Sequence, residues 1–179
     1  MTGHDRAHDV TPAVRLRRVE DRDLDVFFEH QADPPAVEMA AFPARDKEQF
    51  AAHWARVRAD DTVVVRTIVA DGMVAGNIGS WQDNGQQLLG YWVGREWWGL
   101  GVATEALALL VDEVSIRPLY AHVAVHNVGS IRVLEKCGFR RDRVQEAKAP
   151  APDDGIEELI FALNARRPAH MAPGELFAG

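Results

Sequence analysis

A glycine-rich turn between a strand pattern and a helix pattern is the segment of this sequence that most clearly predicts chemistry. Gly99 and Gly101 lie in the turn, and the apolar periodicity of a helix begins directly after Gly101. The first N–H groups of a helix have no partner within it, and with the helix dipole they form an anion site. Glycines there let a pyrophosphate approach the backbone. The turn therefore predicts a site for a nucleotide or coenzyme that carries a diphosphate. A turn that only redirects the chain is the alternative.

A Rossmann dinucleotide site is another interpretation of such a turn. That motif has a third small residue at a fixed spacing and an acidic residue about 20 positions further on, at the end of a strand. Thr104 occupies the third position here, and the stretch His122–Val125 contains no acid. The sequence therefore argues against a Rossmann site.

Two segments resemble the signature motifs of one family, the GNAT superfamily of N-acetyltransferases. Tyr91–Gly94 followed by Trp98–Ala106 resembles motif A in the version found in ribosomal-protein N-terminal acetyltransferases, Tyr-Trp-x-Gly, then Trp-Gly-x-Gly-x-Ala-Thr-Glu-Ala. Trp98 stands where the general motif has Gln or Arg. Asn127–Phe139 resembles motif B, Asn-x-x-Ser-x-x-x-Leu-Glu-Lys-x-Gly-Phe. The resemblance covers roughly residues 14–163.

The resemblance implies a fold and a coenzyme. The implied fold is mixed α/β, with a central, mostly antiparallel sheet that splays after the strand Gln87–Gly94 and is flanked by about four helices. Acetyl-CoA is implied in that opening. The backbone of Tyr91–Val93 pairs with its pantetheine arm, and the amides of Gly99–Ala103 hold the pyrophosphate. Asn127 reaches the pantetheine, and a helix N-cap is the alternative role of this residue. The implied coenzyme-binding residues are Tyr91, Trp92, Val93, Trp98, Gly99, Leu100, Gly101, Val102, Ala103, Thr104, Asn127 and Ser130.

The implied reaction is direct attack of a neutral amine on the thioester carbonyl, which requires a base and is helped by an acid. Backbone N–H near Val93 is the implied oxyanion donor. Leu134 occupies the position at which many family members have a tyrosine that acts as the general acid. The strand stretch Gln86–Leu89 lacks the glutamate often found in the subgroup. Ser130 remains as the candidate acid, and Glu38, Asp83 and Tyr91 remain as the candidate bases. A capping hydroxyl is the alternative role of Ser130, and plain solvent exposure that of Glu38.

The elements that must position these segments follow the order β-α-α-β-β-β-α-β-α-β-β. Two tight turns in succession, Asp71-Gly72 and Asp83-Asn84-Gly85, predict hairpins and argue against a purely parallel sheet. Asp33-Pro34-Pro35 ends the first helix, and Glu38 falls in the connector that follows. Strands are predicted at Val14–Val19, Thr62–Ala70, Met73–Trp81, Gln87–Gly94, Leu119–Val125, Phe139–Val144 and Ile156–Leu163. We expect one domain over residues 13–165, with loose tails at 1–12 and 166–179.

Composition limits the class of protein. The chain has 179 residues, a formal charge of −7 and one cysteine, Cys137. The acidic balance argues against a nucleic-acid partner. The single cysteine excludes an intramolecular disulfide, and no apolar run reaches the roughly 20 residues that span a bilayer. We therefore predict a cytoplasmic protein without a membrane partner. His122 and His126 provide too few ligands for a metal site, so no metal is predicted.

The predicted function is transfer of an acetyl group from acetyl-CoA to an amine of a small molecule or of a protein N-terminus. A GNAT domain that binds CoA without catalysis is the alternative from a different class, because the tyrosine and the strand glutamate are missing. An antibiotic-modifying enzyme is a further alternative and would need an acidic acceptor cleft. Trp81 and Trp92, on adjacent predicted strands, are candidates for the wall of an apolar acceptor pocket. The sequence leaves a monomer and a homodimer open.

Overall fold

A seven-stranded sheet organises residues 10–149 and 155–165, which are the residues that the computed structural model describes. The spatial order is β1-β2-β3-β4-β5-β7-β6, and neighbouring strands are antiparallel except for the parallel pair β4 and β5. The strands are β1 Val14–Arg17, β2 Val64–Ala70, β3 Met73–Asp83, β4 Gln86–Val93, β5 Leu119–Ala124, β6 Arg140–Arg141 and β7 Glu158–Leu163. The mixed, mostly antiparallel fold is thereby confirmed. The predicted tails, apart from residues 10–12, lie outside the described residues.

The number of helices is larger than predicted. The described residues contain six α-helices instead of about four: α1 Asp23–Ala32, α2 Pro34–Ala40, α3 Lys47–Ala59, α4 Val102–Glu113, α5 Val128–Lys136 and α6 Arg143–Glu146. The predicted connector around Glu38 is helix α2. Pro34 and Pro35 end α1, as predicted, and then begin α2, because the first helical positions need no N–H donor.

Helix α6 replaces the end of a predicted strand. The Asp142 side chain accepts hydrogen bonds from the N–H groups of Val144 and Gln145 and so caps a short helix. The strand predicted over Phe139–Val144 is therefore reduced to Arg140–Arg141.

Both hairpins occur where the turn residues predict them. Asp71 and Gly72 have φ of 48° and 81°, and Asn84 and Gly85 have φ of 47° and 79°. Two successive residues at positive φ match the twist of the strands that they join. As a result, β2, β3 and β4 form an antiparallel meander that brings β4 to the centre of the sheet.

The sheet splays between β4 and β5. The two strands pair only at Gln87 with Leu119 and at Leu88 with Tyr120. Beyond Leu88, β4 continues to Val93 while β5 pairs with β7 on its far side. The second half of β4 therefore has one edge without a strand partner among the described residues, at the point where the sequence predicts the opening.

Two apolar clusters hold the helices on opposite faces of the sheet. On one face α4 buries Val102, Ala106, Leu107 and Leu110 completely, against Ile68 and other strand residues. On the other face Phe27 of α1 packs with Phe50 and Trp54 of α3, against Val65. Val65 and Ile68 lie three residues apart on β2, and the alternation of a strand directs them to opposite faces.

A buried ion pair fixes α1 to the sheet. Both carboxylate oxygens of Asp23 accept hydrogen bonds from the Arg17 guanidinium, at 2.6 and 2.7 Å. The Glu20 N–H and the Thr67 hydroxyl donate to the same carboxylate. Burial alone would raise the pKa of Asp23, but these hydrogen bonds outweigh it and lower the pKa to about 2. The network joins β1, α1 and β2.

Candidate functional site

Two cavities meet at the carboxyl end of β4. The smaller one has a volume of about 300 Å³, fills the opening of the sheet and touches the glycine-rich turn, and we call it the turn cavity. The larger one, of about 680 Å³, lies between α3 and the sheet, and we call it the aromatic cavity. Ala40, Tyr91 and Trp92 line both. A group bound in one cavity therefore lies next to a group bound in the other.

The glycine-rich turn has the backbone geometry of an anion site. Gly99 and Gly101 have φ of 73° and 80°, a region that favours glycine strongly over other residues. Gly101 is the N-cap of α4 and contributes no side chain to it, so the first N–H groups of the helix are left for another acceptor. A Cβ at Gly101 would approach Thr11 Cγ2 to 3.3 Å. The turn thus leaves the first N–H groups of α4 without an acceptor in the helix, at a position where Thr11 would crowd a side chain.

The open edge of β4 presents backbone groups to the turn cavity. The Gly94 N–H donates to the Ala75 carbonyl of the neighbouring strand segment at 2.9 Å. Because N–H directions alternate along a strand, the Val93 N–H points the other way, into the opening. The Val93 carbonyl accepts a hydrogen bond from Trp98 Nε1 at 2.9 Å. Trp98, which replaces the Gln or Arg of the general motif, therefore ties the turn to the strand.

Asn127 and Ser130 close the opposite wall of the turn cavity. Asn127 Oδ1 accepts a hydrogen bond from the Ser130 N–H at 3.1 Å, so Asn127 is an N-cap of α5. The cap uses only the amide oxygen, and the amide nitrogen can still donate to a ligand. The Tyr91 hydroxyl lies 3.5 Å from the Ser130 carbonyl. Burial raises the pKa of Tyr91 to about 12, so its phenol is a proton donor at neutral pH.

The structure brings most of the predicted site residues together. Eleven of the twelve predicted coenzyme-binding residues line the turn cavity, and the exception is Leu100, which is exposed. Glu38 is exposed on α2 and lines neither cavity, although its backbone carbonyl accepts a hydrogen bond from His126. Asp83 is exposed and lines neither cavity. Leu134 is buried in the core. Residues 10–149 and 155–165 contain no cluster of three metal-ligating side chains.

Two paired glycines form the floor of the aromatic cavity. Gly79 of β3 lies opposite Gly90 of β4, and Trp81 and Trp92 stand on either side of them on the same face. A Cβ at Gly90 would contact the Trp81 ring at 3.0 Å. The missing side chains thus make room for the cavity and for the Trp81 ring.

Three basic residues that the sequence analysis did not identify also line the aromatic cavity. They are Arg45, His53 and Arg56, which lie in and just before α3. Burial and the charges of Arg45 and Arg56 lower the pKa of His53, so its imidazole is mostly neutral at pH 7. The signal for them is the spacing of α3, which places His53 and Arg56 three residues apart. Only the fold shows that this side of α3 faces a cavity.

Comparison with known proteins identifies the family. The family model described as an acetyltransferase (GNAT) domain matches residues 13–140, which include the open edge of β4, the glycine-rich turn and α5. The chain belongs to the GNAT family. This GNAT domain is an acetyltransferase, and the resemblance found in the two sequence motifs is confirmed.

Relatives of this GNAT domain share its length and its fold. An uncharacterised N-acetyltransferase of Bacillus licheniformis, p20, is 27% identical over 170 residues, which are 87% of this chain and 95% of that protein. The spermidine N-acetyltransferase of Vibrio cholerae, solved with CoA and spermine, matches with a TM-score of 0.68 at 15% identity, over 83% of this chain and 92% of that one. RimJ of Mycobacterium smegmatis, solved with CoA-disulfide, matches with a TM-score of 0.67 at 23% identity, over 87% and 83%. These structural matches confirm the fold.

Among the described residues of this domain, no helix has the length and apolar character needed to cross a membrane.

Proposed function

We propose that this GNAT domain transfers the acetyl group of acetyl-CoA to a primary amine by direct attack. The observation that carries the proposal is the junction of two cavities at Tyr91 and Trp92, one beside an anion-binding turn and the other open to an acceptor. The CoA-containing structures of the spermidine N-acetyltransferase and of RimJ, which have the same fold, support the choice of coenzyme.

The coenzyme would be held mainly by backbone groups. The N–H groups at the start of α4 would bind the pyrophosphate, and the open edge of β4 would pair with the pantetheine arm. The Val93 N–H, which points into the opening, would stabilise the negative charge that develops on the thioester oxygen. The Asn127 amide nitrogen would donate to the pantetheine, since its oxygen caps α5.

The reaction needs one proton acceptor and one proton donor. The amine nitrogen attacks the carbonyl carbon, the C–S bond breaks, and the nitrogen loses one proton while the thiolate gains one. Tyr91, predicted as a candidate base, remains protonated at neutral pH and lines both cavities, so it is instead the proposed donor to the thiolate. Ser130 is the alternative donor on the same wall. Neutral His53 in the aromatic cavity replaces Glu38 as the proposed acceptor.

Calorimetric titration with acetyl-CoA, paired with an assay of thiol release, tests the proposal. We expect the wild type to bind acetyl-CoA and Gly101→Glu to lose binding, because a carboxylate would enter the anion site. Gly85→Glu is the matched control, since Gly85 has nearly the same φ and lies in a distant hairpin. Wild-type protein that does not bind acetyl-CoA would refute the proposal. Binding without thiol release from any amine would favour the non-catalytic CoA-binding function.

A further inference from the structure

The aromatic cavity carries positive charge inside an acidic protein. The chain has a formal charge of −7, yet half-buried Arg45 and exposed Arg56 both line this cavity. Neither guanidinium forms an ion pair with a carboxylate within the described part of the chain. Arg58, on the same helix as Arg56, does pair with Asp21, at 2.6 Å. The two arginines of the cavity are therefore available to an anion from outside the chain.

The one acidic side chain among the described lining residues does not balance them. Asp60 is exposed at the end of α3, and its Oδ1 accepts hydrogen bonds from the Thr62 N–H at 2.9 Å and from the Thr62 hydroxyl at 2.6 Å. This carboxylate is thus already engaged in a local turn. His53 is mostly neutral at pH 7, because burial and the charges of Arg45 and Arg56 lower its pKa. The net charge of the lining is positive.

The backbone of Arg45 is held in a fixed position. Its backbone carbonyl accepts a hydrogen bond from the side-chain amide of Gln31 at 2.8 Å, and its N–H donates to the same side chain at 3.3 Å. Gln31 is itself buried, and the Arg45 guanidinium lies over the Phe42 ring at 4.8 Å. Burial and the charge of Arg56 lower the pKa of Arg45, and among the described residues no carboxylate forms an ion pair that offsets its charge. A bound anion would do so.

The rest of the cavity suits an apolar body. Its walls contain Phe27, Phe50, Trp54, Trp81 and Trp92, and its floor is the backbone of Gly79 and Gly90. Aromatic walls around a small number of fixed polar groups are typical of small-molecule sites.

We propose that the amine acceptor of this domain carries an anionic carboxylate and an apolar, preferably aromatic, body, and that Arg45 and Arg56 bind the carboxylate. The inference rests on the proposed N-acetyltransferase function and specifies its substrate class. An aromatic α-amino acid has the amine, the carboxylate and the apolar body. A polypeptide whose N-terminal apolar residue is followed by an acidic one has the same three features. The cationic lining disfavours polycations, and it is the opposite of the acidic cleft that an antibiotic-modifying enzyme of this kind would need.

Acceptor pairs that differ in one charge give the direct test. With saturating acetyl-CoA, thiol release is measured for L-phenylalanine, L-phenylalaninamide, phenethylamine and spermine. We expect kcat/KM for phenylalanine to exceed that for the amide by roughly 10- to 100-fold, the size of one charge-assisted contact. The amide has the less basic amine, so a larger fraction of it is the neutral, attacking form near neutral pH. Protonation therefore favours the amide and cannot produce a preference for phenylalanine. Equal or better acetylation of the amide, of phenethylamine or of spermine would overturn the inference.

Peptides distinguish the two sources of the carboxylate. Phe-Glu-Gly and Phe-Gln-Gly, both with amidated C-termini, carry the anion only on the second side chain. A preference for the Glu peptide that is larger than the preference for phenylalanine over its amide identifies a polypeptide N-terminus as the acceptor. The reverse order identifies a free amino acid. Either order supports the carboxylate site, and the absence of both preferences contradicts it.

Arginine variants connect the preference to the cavity. We expect Arg45→Gln and Arg56→Gln each to reduce the ratio of kcat/KM between phenylalanine and its amide by about tenfold. Arg58→Gln removes the same charge from α3 outside the cavity and should leave the ratio unchanged. Because the ratio is measured within one variant, partial unfolding of that variant does not change it. A ratio that is unchanged in both cavity variants rules out the assignment.

A binding measurement separates this inference from the proposed function. Calorimetric titration of the CoA-loaded protein with phenylalanine and with phenethylamine needs no turnover. Tighter binding of phenylalanine supports the carboxylate site even if no acetyl transfer is detected. Acetyl transfer to amines without a carboxylate, together with weaker binding of phenylalanine, sustains the proposed function and overturns the substrate class.

Discussion

The turn cavity and the aromatic cavity share one strand but are built from different materials. The turn cavity is lined mainly by one short stretch, residues 91–104, whose backbone groups are the proposed ligand contacts, and by residues of α2 and α5. The aromatic cavity consists of side chains from α1, α3, the segment before α3 and three strands. Backbone groups suit a ligand that stays constant across a family, whereas side chains can change with the acceptor. The difference explains why one site is visible in sequence motifs and the other is not.

The buried ion pair between Asp23 and Arg17 is here called the Asp23 anchor. Its loss should have the largest effect on stability, and it should affect the two faces of the sheet unequally. Asp23→Ala leaves the Arg17 guanidinium without its buried partner, and such losses cost about 3–5 kcal/mol of unfolding free energy. Denaturant unfolding measures the loss. Because the anchor joins α1 to β1 and β2, hydrogen exchange should increase first in α1 and α3 and only later in α4.

Asp21→Ala is the matched control for that experiment. Asp21 lies two residues before Asp23 and pairs with Arg58, but its side chain is 90% exposed. An exposed pair contributes at most about 1 kcal/mol. Equal losses of stability in the two variants, or equal exchange on both sides of the sheet, would show that the aromatic side does not depend on this anchor.

Tyr91 tests the boundary between the cavities. Tyr91→Phe removes the proposed proton donor to the thiolate, and we expect kcat to fall about 100-fold while the KM for acetyl-CoA stays within a fewfold of wild type. Tyr120→Phe is the control, because Tyr120 is buried in β5 and lines neither cavity. Steady-state kinetics of both variants decide the point. An unchanged kcat in Tyr91→Phe would transfer the donor role to Ser130 or to water.

The backbone geometry of the turn cavity was largely predictable, for a physical reason. A turn at positive φ favours glycine, and the helix that follows it has an apolar period. Gly99, Gly101 and α4 can therefore be recognised from the sequence. The hairpins at Gly72 and Gly85 are marked in the same way. The role of Trp98 was not predictable, because its hydrogen bond to Val93 depends on how the turn folds back onto β4.

The aromatic cavity was not predictable. Pro34 and Pro35 signal both the end of one helix and the start of another, and only packing decides between a connector and α2. The sequence therefore predicts Glu38 as a candidate base, whereas its side chain is exposed in the structure. Arg45 and Arg56 are ordinary surface-type residues in the sequence, and their proposed role depends on the distant segments that line the same cavity. Nothing local in the sequence distinguishes them from Arg58.

Acid should weaken the same anchor by a smaller amount than its removal does. The folded state holds the pKa of Asp23 at about 2, below its unfolded value of about 4, so the stabilisation is present above pH 4 and is lost as the pH falls towards 2. The loss is about 2 kcal/mol, and unfolding titrations at several pH values measure it. In Asp23→Asn this part of the pH dependence should disappear. A variant that retains it would show that other carboxylates are responsible.

Two tryptophans, one on each side, give the smallest and most selective test of the comparison. Trp98→Phe removes the hydrogen bond to the Val93 carbonyl, worth about 1 kcal/mol, and should raise the KM for acetyl-CoA about fivefold. Trp81→Phe alters the wall of the aromatic cavity and should change the KM of the amine while leaving that of acetyl-CoA unchanged. Both variants keep an aromatic ring, so the two KM values of each can be compared directly. If Trp98→Phe changed the amine KM as much as the acetyl-CoA KM, the two cavities would have to be treated as one coupled site, because a backbone shift at Val93 would then pass through Trp92 to the acceptor wall.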